Sequence, residues 1–280
     1  MKKISLLFSL LLSAFIANAQ GVKMPQPSPT QTIKQDFGLG YIELTYSRPA
    51  LKGREAFKEE SPLAPLGKLW RTGANAATKI TFSYPTTIGG KTIESGSYVL
   101  YTIPGAKSWT IILNKGLTNW GTDGYKEEED VVRFEVESMK MKTPIENLTM
   151  QFANLKPESC ELHIMWANTA VSIPISVNIK DRLKEDIIAA MNTDKKPYWQ
   201  AANFYYEWEK DLPKALEYVN KAIGENEKGY WMYLLKAKIQ RDMNDKEGAI
   251  RSAEKCAAIA ADQKNDEYVK LANELIKSLK

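Results

Sequence analysis

Two hydrophobic rhythms divide this chain. From about Gln31 to Ile179 apolar residues alternate with polar ones, the pattern of strands that bury one face. Beyond Lys180 they recur at every third or fourth position. In Tyr41-Ile42-Glu43-Leu44-Thr45-Tyr46 the alternation puts Ile42, Leu44 and Tyr46 on one side, and Thr78 to Tyr84 does the same with Ile80, Phe82 and Tyr84. Gly89-Gly90 separates Thr87-Ile88 from Lys91-Thr92-Ile93. Both central residues of a type I′ turn need positive φ, so this segment predicts a tight hairpin. Tyr98 to Ile103 and Trp109 to Leu113 predict a second pair joined through Pro104-Gly105. Val131 to Val136, Leu148 to Phe152, Cys160 to Trp166 and Val171 to Ile179 bring the count to about nine short strands. Strands in succession without intervening helices predict an all-β antiparallel sandwich over residues 25–179.

After that the period changes. Leu183, Ile187, Ile188 and Met191 fall on one helical face, a polar linker follows, and Pro197 stands where a new helix would open. From there the sequence echoes itself: Trp199 and Tyr233, Ala215 and Ala249, and Ala222 and Cys256 are each 34 residues apart. The turns Lys210-Asp211-Leu212 and Asn244-Asp245-Lys246 correspond as well. That period resembles the tetratricopeptide repeat, so residues 181–280 read as an all-α domain of two such repeats and a capping helix from Asp266 to Leu279. The copies depart from the repeat consensus at Ala202, Asn203 and Gln240. Two repeats leave an apolar face that only a neighbour can cover, so this tail is expected to dock on the sandwich, through the 181–191 helix, or on a protein partner.

The N-terminus adds a compartment. Lys2 and Lys3 precede the apolar run Ile4 to Ile16, and Ala17-Asn18-Ala19 supplies a small-x-small cleavage site. Residues 1–19 therefore read as an export signal, and the run is too short for a membrane span. Loss of Lys2 and Lys3 lowers the formal charge from +4 to +2, a balance that favours neither nucleic acid nor an anionic membrane. The expected location is periplasmic or secreted, with no integral membrane segment left after cleavage.

Conventional catalytic chemistry is sparse. His163 is the single histidine and lies in an alternating strand, with Leu162, Ile164 and Trp166 on the opposite face. Cys160 and Cys256 lie in different predicted domains and read as buried free thiols. The acidic run from Asp123 to Asp130 does not match a calcium loop. Neither a metal site nor a cofactor is expected, and no catalytic residue is assigned. The dense chemistry lies instead in loops. Arg48, Arg54 and Arg71 carry planar forks suited to carboxylate or phosphate, and Asn75 offers both a donor and an acceptor. Trp109, Trp120 and Tyr125 supply flat faces on which a sugar ring could stack, and Trp70 joins Trp120 and Tyr125 among the candidate ligand residues. Two readings stay open: these residues line a pocket for a small anionic or carbohydrate ligand, or the arginines knit loops to the sandwich edge.

Tyr46-Ser47-Arg48-Pro49, Lys52-Gly53-Arg54 and Trp70-Arg71-Thr72-Gly73-Ala74-Asn75 also carry a likeness. With Gly96-Ser97-Tyr98, Trp109 and Trp120-Gly121, they resemble a family of exported bacterial proteins of Bacteroidetes type known only as a domain of unknown function. The resemblance implies location and architecture and brings no activity. The expected role is a non-catalytic ligand-binding or scaffolding module with a protein-binding helical tail. The alternative is a hydrolase of glycans or esters using strand-borne carboxylates, for which Glu43, Glu94 and Glu161 are the candidates. Expression in a secreting bacterial host is expected to yield a chain beginning at Gln20, read by intact mass; a chain retaining residues 1–19 would count against export.

Overall fold

The structure is a computed structural model that describes residues 24–280; the predicted export signal lies outside the described residues. The chain divides into two compact units between Val177 and Asn178. The first contains β1 (Thr30–Phe37), β2 (Gly40–Ser47), β3 (Thr78–Phe82), β4 (Thr86–Ile88), β5 (Lys91–Ile93), β6 (Gly96–Ile103), β7 (Ser108–Asn114), β8 (Asp130–Ala153) and β9 (Ser159–Ser176). All pairings are antiparallel, in the order β1-β2-β3-β6-β7-β8-β9-β4-β5.

The alternation places the core as expected except at Tyr84, which lies beyond the end of β3 and is only half-buried. Ile42, Leu44, Tyr46, Ile80, Phe82, Leu162, Ile164 and Trp166 are all buried. Gly89 and Gly90 have φ of 58° and 75°, and Ile88 faces Lys91 across the turn. A Cβ on Gly89 would lie 2.2 Å from the Phe134 ring, so space as well as backbone conformation excludes other residues there.

Two features differ from the sequence pattern. Strand β1 was not singled out, because most of its positions are exposed or half-buried and give no apolar face. It is an edge strand held by backbone pairing with β2, from Thr30 opposite Ser47 to Phe37 opposite Gly40. The segments Val131–Val136 and Leu148–Phe152 are parts of one strand, β8. Its first part pairs with β7 and its remainder with β9, with register shifts around Ile145. Such a strand carries the chain from one layer of a sandwich to the other. In β9, Val177 N–H bonds Glu158 O at 2.9 Å. A straight run between them would span about 60 Å, so β9 doubles back, with Ala167 at φ 49° near the bend. Its two arms correspond to the two strands expected there.

The layers are joined by aromatic packing. Trp109 comes from β7 and Trp166 from β9, while Phe57 and Trp70 enter from the connection between β2 and β3. Trp70 stacks on Trp166 with centroids 5.9 Å apart and 13° between planes, and meets Trp109 edge-on at 6.1 Å. Phe57 lies 4.7 Å from Trp109. Tyr46 adds a polar tie, its hydroxyl accepting from Met150 N and donating to Gln31 Oε1, both at 2.9 Å.

The second unit contains α1 (Lys180–Met191), α2 (Tyr198–Phe204), a π-helical turn (Tyr205–Glu209), α3 (Leu212–Glu225), α4 (Tyr230–Asp242), α5 (Lys246–Asp262) and α6 (Asp266–Leu279). The turns into α3 and α5 share one design. Lys210 and Asn244 have positive φ, and Asp211 and Asp245 each cap a helix by accepting an N–H from the residue three further on. Alanines let the helices approach closely: Ala201, Ala202, Ala215, Ala237, Ala249 and Ala253 are fully buried. Ile187 of α1 belongs to the apolar cluster of the first helical pair.

Tyr46→Phe removes the acceptor from Met150 N–H while keeping the ring. Denaturant unfolding is expected to show a loss of about 1–3 kcal/mol; an unchanged midpoint would mean the hydroxyl carries no load.

Candidate functional site

The segment Trp70–Asn75 folds around the burial of Trp70. Main-chain bonds in both directions join Trp70 to Thr102, at 2.8 and 3.0 Å. The indole N–H bonds Gly73 O at 3.1 Å, turning the chain back on itself. Thr72, fully buried at φ 53°, places its hydroxyl 3.1 Å from that of Thr102, and Thr78 donates to Thr72 O at 2.8 Å. A Cβ on Gly73 would come within 3.1 Å of Ser47 O. Asn75, at φ 59°, gives its amide to Ser28 O and Ser47 Oγ, each at 3.3 Å. Nearly every side chain of the motif is thus used to knot the loop.

Arg71 is different. Its Nε is sealed from solvent without an acceptor, and its terminal nitrogens hold no bond to any described residue. The guanidinium lies against Gly121, where an added Cβ would stand 2.9 Å from Nη1. Gly121 has φ of 66° and follows Trp120, which is 66 % exposed.

The loop bearing Trp120 is itself anchored. Fully buried Asn114 donates to Lys126 O and Asp130 Oδ1, and its own oxygen accepts from Gly116 N. Tyr125 OH donates to Asp130 Oδ2 at 2.8 Å and accepts from Arg133 at 2.7 Å. Burial first, then the Asp130 carboxylate, pushes the Tyr125 phenol up to about 12. Tyr125 therefore acts in the loop's anchoring network, its ring against Tyr101.

A cavity of about 960 Å³ opens between Trp120, the Asn75–Ala77 segment, the β1 and β2 residues Thr30, Thr45, Tyr46 and Ser47, and the preceding Pro25, Gln26 and Pro29. Its wall offers an indole, amides and hydroxyls, and neither Asp nor Glu is among its described lining residues. Of the candidate residues, Asn75 and Trp120 line it; Arg71 is not among the lining residues, and its Nη1 lies against Gly121, the residue after Trp120. Arg48 instead bonds Leu148 O at 3.0 Å and Thr149 Oγ1 at 2.9 Å. Arg54 bonds Leu51 O at 3.0 Å and Ala50 O at 2.8 Å. Trp70 is core. The arginines that looked alike in sequence therefore sit in separate settings, two of them on main-chain oxygens. Thr30, Thr45 and Ser47 were not among the candidates. Only the pairing of β1 with β2 gathers them, and short hydroxyl residues leave no pattern that would flag them.

The other chemistry lies elsewhere. Glu43 stands opposite Thr81 on β2, Glu94 lies in the turn after β5, and Glu161 lies on β9. None is among the described residues lining the cavity. His163 Nε2 donates to Glu161 at 2.8 Å, and Ser172 Oγ donates to the same carboxylate at 2.7 Å. The serine proton is held by the acid rather than the imidazole, which is not the contact that activates a nucleophile. Hydrogen bonds from His163, then Ser172 and Asn154, bring Glu161 down to about 2. Cys160 and Cys256 are free and buried, and desolvation pushes both thiols up to about 11. Among the described residues no His, Cys, Asp and Glu group has metal-binding geometry, and no helix is long and apolar enough to cross a membrane.

A family model described as "Protein of unknown function (DUF2911)" matches residues 28–175, just over half of the chain. The protein belongs to that family, and its helical unit lies beyond the matched residues. No curated protein matches the chain.

Glu161 yields a pH prediction. Its folded pKa is depressed, so its contribution to stability is present above the unfolded carboxylate range and lost as pH falls from about 4.5 to about 2. Glu161→Gln is expected to flatten that part of a stability-versus-pH curve while leaving the slope above pH 5 unchanged; an unaltered acid limb would contradict the assignment.

Proposed function

We propose that this member of the DUF2911 family is a non-catalytic, exported binding protein. Its β unit holds a ring-bearing, hydroxyl-rich ligand of carbohydrate type in the cavity beside Trp120. One observation carries the reading: a large indole stands 66 % exposed at the mouth of a cavity walled by Asn75 and by hydroxyl side chains. An exposed Trp on an anchored loop is a flat stacking platform, and amide and hydroxyl groups both donate to and accept from sugar hydroxyls. The absence of carboxylates from the described lining favours binding over hydrolysis.

The helical unit, on this reading, is a pair of tetratricopeptide-like repeats that holds a polypeptide partner. Support comes from the turn geometry recurring 34 residues on, at Lys210-Asp211 and Asn244-Asp245. A groove of about 490 Å³ lined by Leu183, Ile187, Trp199, Phe204 and Trp208 adds an apolar surface. The compartment follows from the residue 1–19 signal and is periplasmic or extracellular.

Titration with neutral xylo-, cello- and galacto-oligosaccharides, followed by Trp fluorescence and calorimetry, tests the cavity. Trp120→Ala is expected to weaken binding at least about tenfold, roughly 1.4 kcal/mol, with an unchanged Tm because the side chain is exposed. No binding, or equal binding by the variant, would refute the proposal.

A further inference from the structure

Resting on the cavity reading above, we infer that the bound ring carries an oxyanion, a carboxylate or a phosphate, and that Arg71 reads it. Of the three arginines in these loops, Arg48 and Arg54 are bonded to main-chain carbonyls, and Arg48 also to Thr149. Arg71 has no hydrogen bond and no ion pair to any described residue. Its Nε is closed off from water without an acceptor, while the terminal nitrogens are not sealed and remain unbonded. A half-buried guanidinium loses part of its hydration, and that loss is ordinarily offset by a carboxylate or a set of carbonyls. Among the described residues there is neither. The acid in the neighbouring network, Asp130, is engaged by Arg133, Tyr125 and Asn114.

The surroundings are shaped to keep the fork free. Gly121 lies against Nη1, and a methyl group there would stand 2.9 Å from it. Glycine at this position serves both the backbone, with φ of 66°, and the space the guanidinium occupies. The preceding residue is Trp120, with its Cα about 3.8 Å away. On this inference a ring stacked on that indole carries its substituent toward Gly121 and the guanidinium, whose planar N–H groups match the two oxygens of a carboxylate or phosphate. No Asp or Glu is among the cavity's described lining residues to repel such a group.

The test is calorimetric titration of the purified protein with trigalacturonic acid, with its fully methyl-esterified and therefore neutral counterpart, and with galactose 1-phosphate against galactose. At least one acidic probe is expected to bind about tenfold or more tighter than its neutral match, and Arg71→Gln is expected to bring that ratio to within about twofold. Trp120→Ala should weaken acidic and neutral probes alike. Raising NaCl from about 50 to about 500 mM should weaken only acidic binding in the wild-type protein, a readout independent of whether Arg71→Gln folds. Equal binding of acidic and neutral probes overturns the anion assignment and leaves the Trp120 cavity standing. So does an acid preference that survives Arg71→Gln or is insensitive to salt. No binding by any probe overturns both.

Discussion

Burial of Trp70 between Trp109 and Trp166 is the constraint on which the β unit depends. A long connection with no strand of its own would ordinarily lie on the surface. This one sends an indole into the core and is pinned at both ends, by the Trp70–Thr102 bridge and the Ala50–Asn147 bridge. Truncating a buried Trp costs about 3–5 kcal/mol, which is of the same order as the combined strain of the left-handed residues Thr72 and Asn75, about 1–3 kcal/mol each. With the indole fixed inward, the next residue has to leave the core. Arg71 consequently emerges toward the Gly121 loop, with its neighbours in the motif committed to the knot.

This arrangement separates holding from binding. Thr72, Gly73 and Asn75 hold the backbone, while Arg48 and Arg54 tie their segments to carbonyl oxygens. Asn114, Tyr125, Asp130 and Arg133 fix the loop between β7 and β8. Two side chains remain outside this division, the indole of Trp120 and the guanidinium of Arg71. Rigid support beneath a few unengaged groups is the arrangement that lets a site bind without first ordering itself.

The sequence pattern reached far into the fold where a signal is local. Alternation identified the buried faces of β2, β3 and β9 because a strand covered on one side must alternate. The Gly89-Gly90 hairpin was legible because its turn demands positive φ. Strand β1 was not, since its stability comes from pairing with β2 and leaves no apolar stripe. The paired turns at Asp211 and Asp245 were visible because a capping acid before a helix is a short-range requirement. The π-helical turn at Tyr205–Glu209 carried no such mark.

By itself, then, the chain determined its two periods, its hairpin turns, the buried faces of its alternating strands and the family it belongs to, all properties written within a few residues of one another. Which arginine is free was decided only in three dimensions. The sequence neighbourhoods of Arg48, Arg54 and Arg71 all offer glycine or proline and a loop, and nothing local tells them apart. Arg54 turns back onto the nearby Leu51 and Ala50 carbonyls, Arg48 meets the Leu148 carbonyl of a distant strand at 3.0 Å, and Arg71 meets Gly121, which leaves space and no acceptor. A guanidinium's role follows from the acceptors it meets, and for Arg48 and Arg71 those are decided by the packing of segments far apart along the chain.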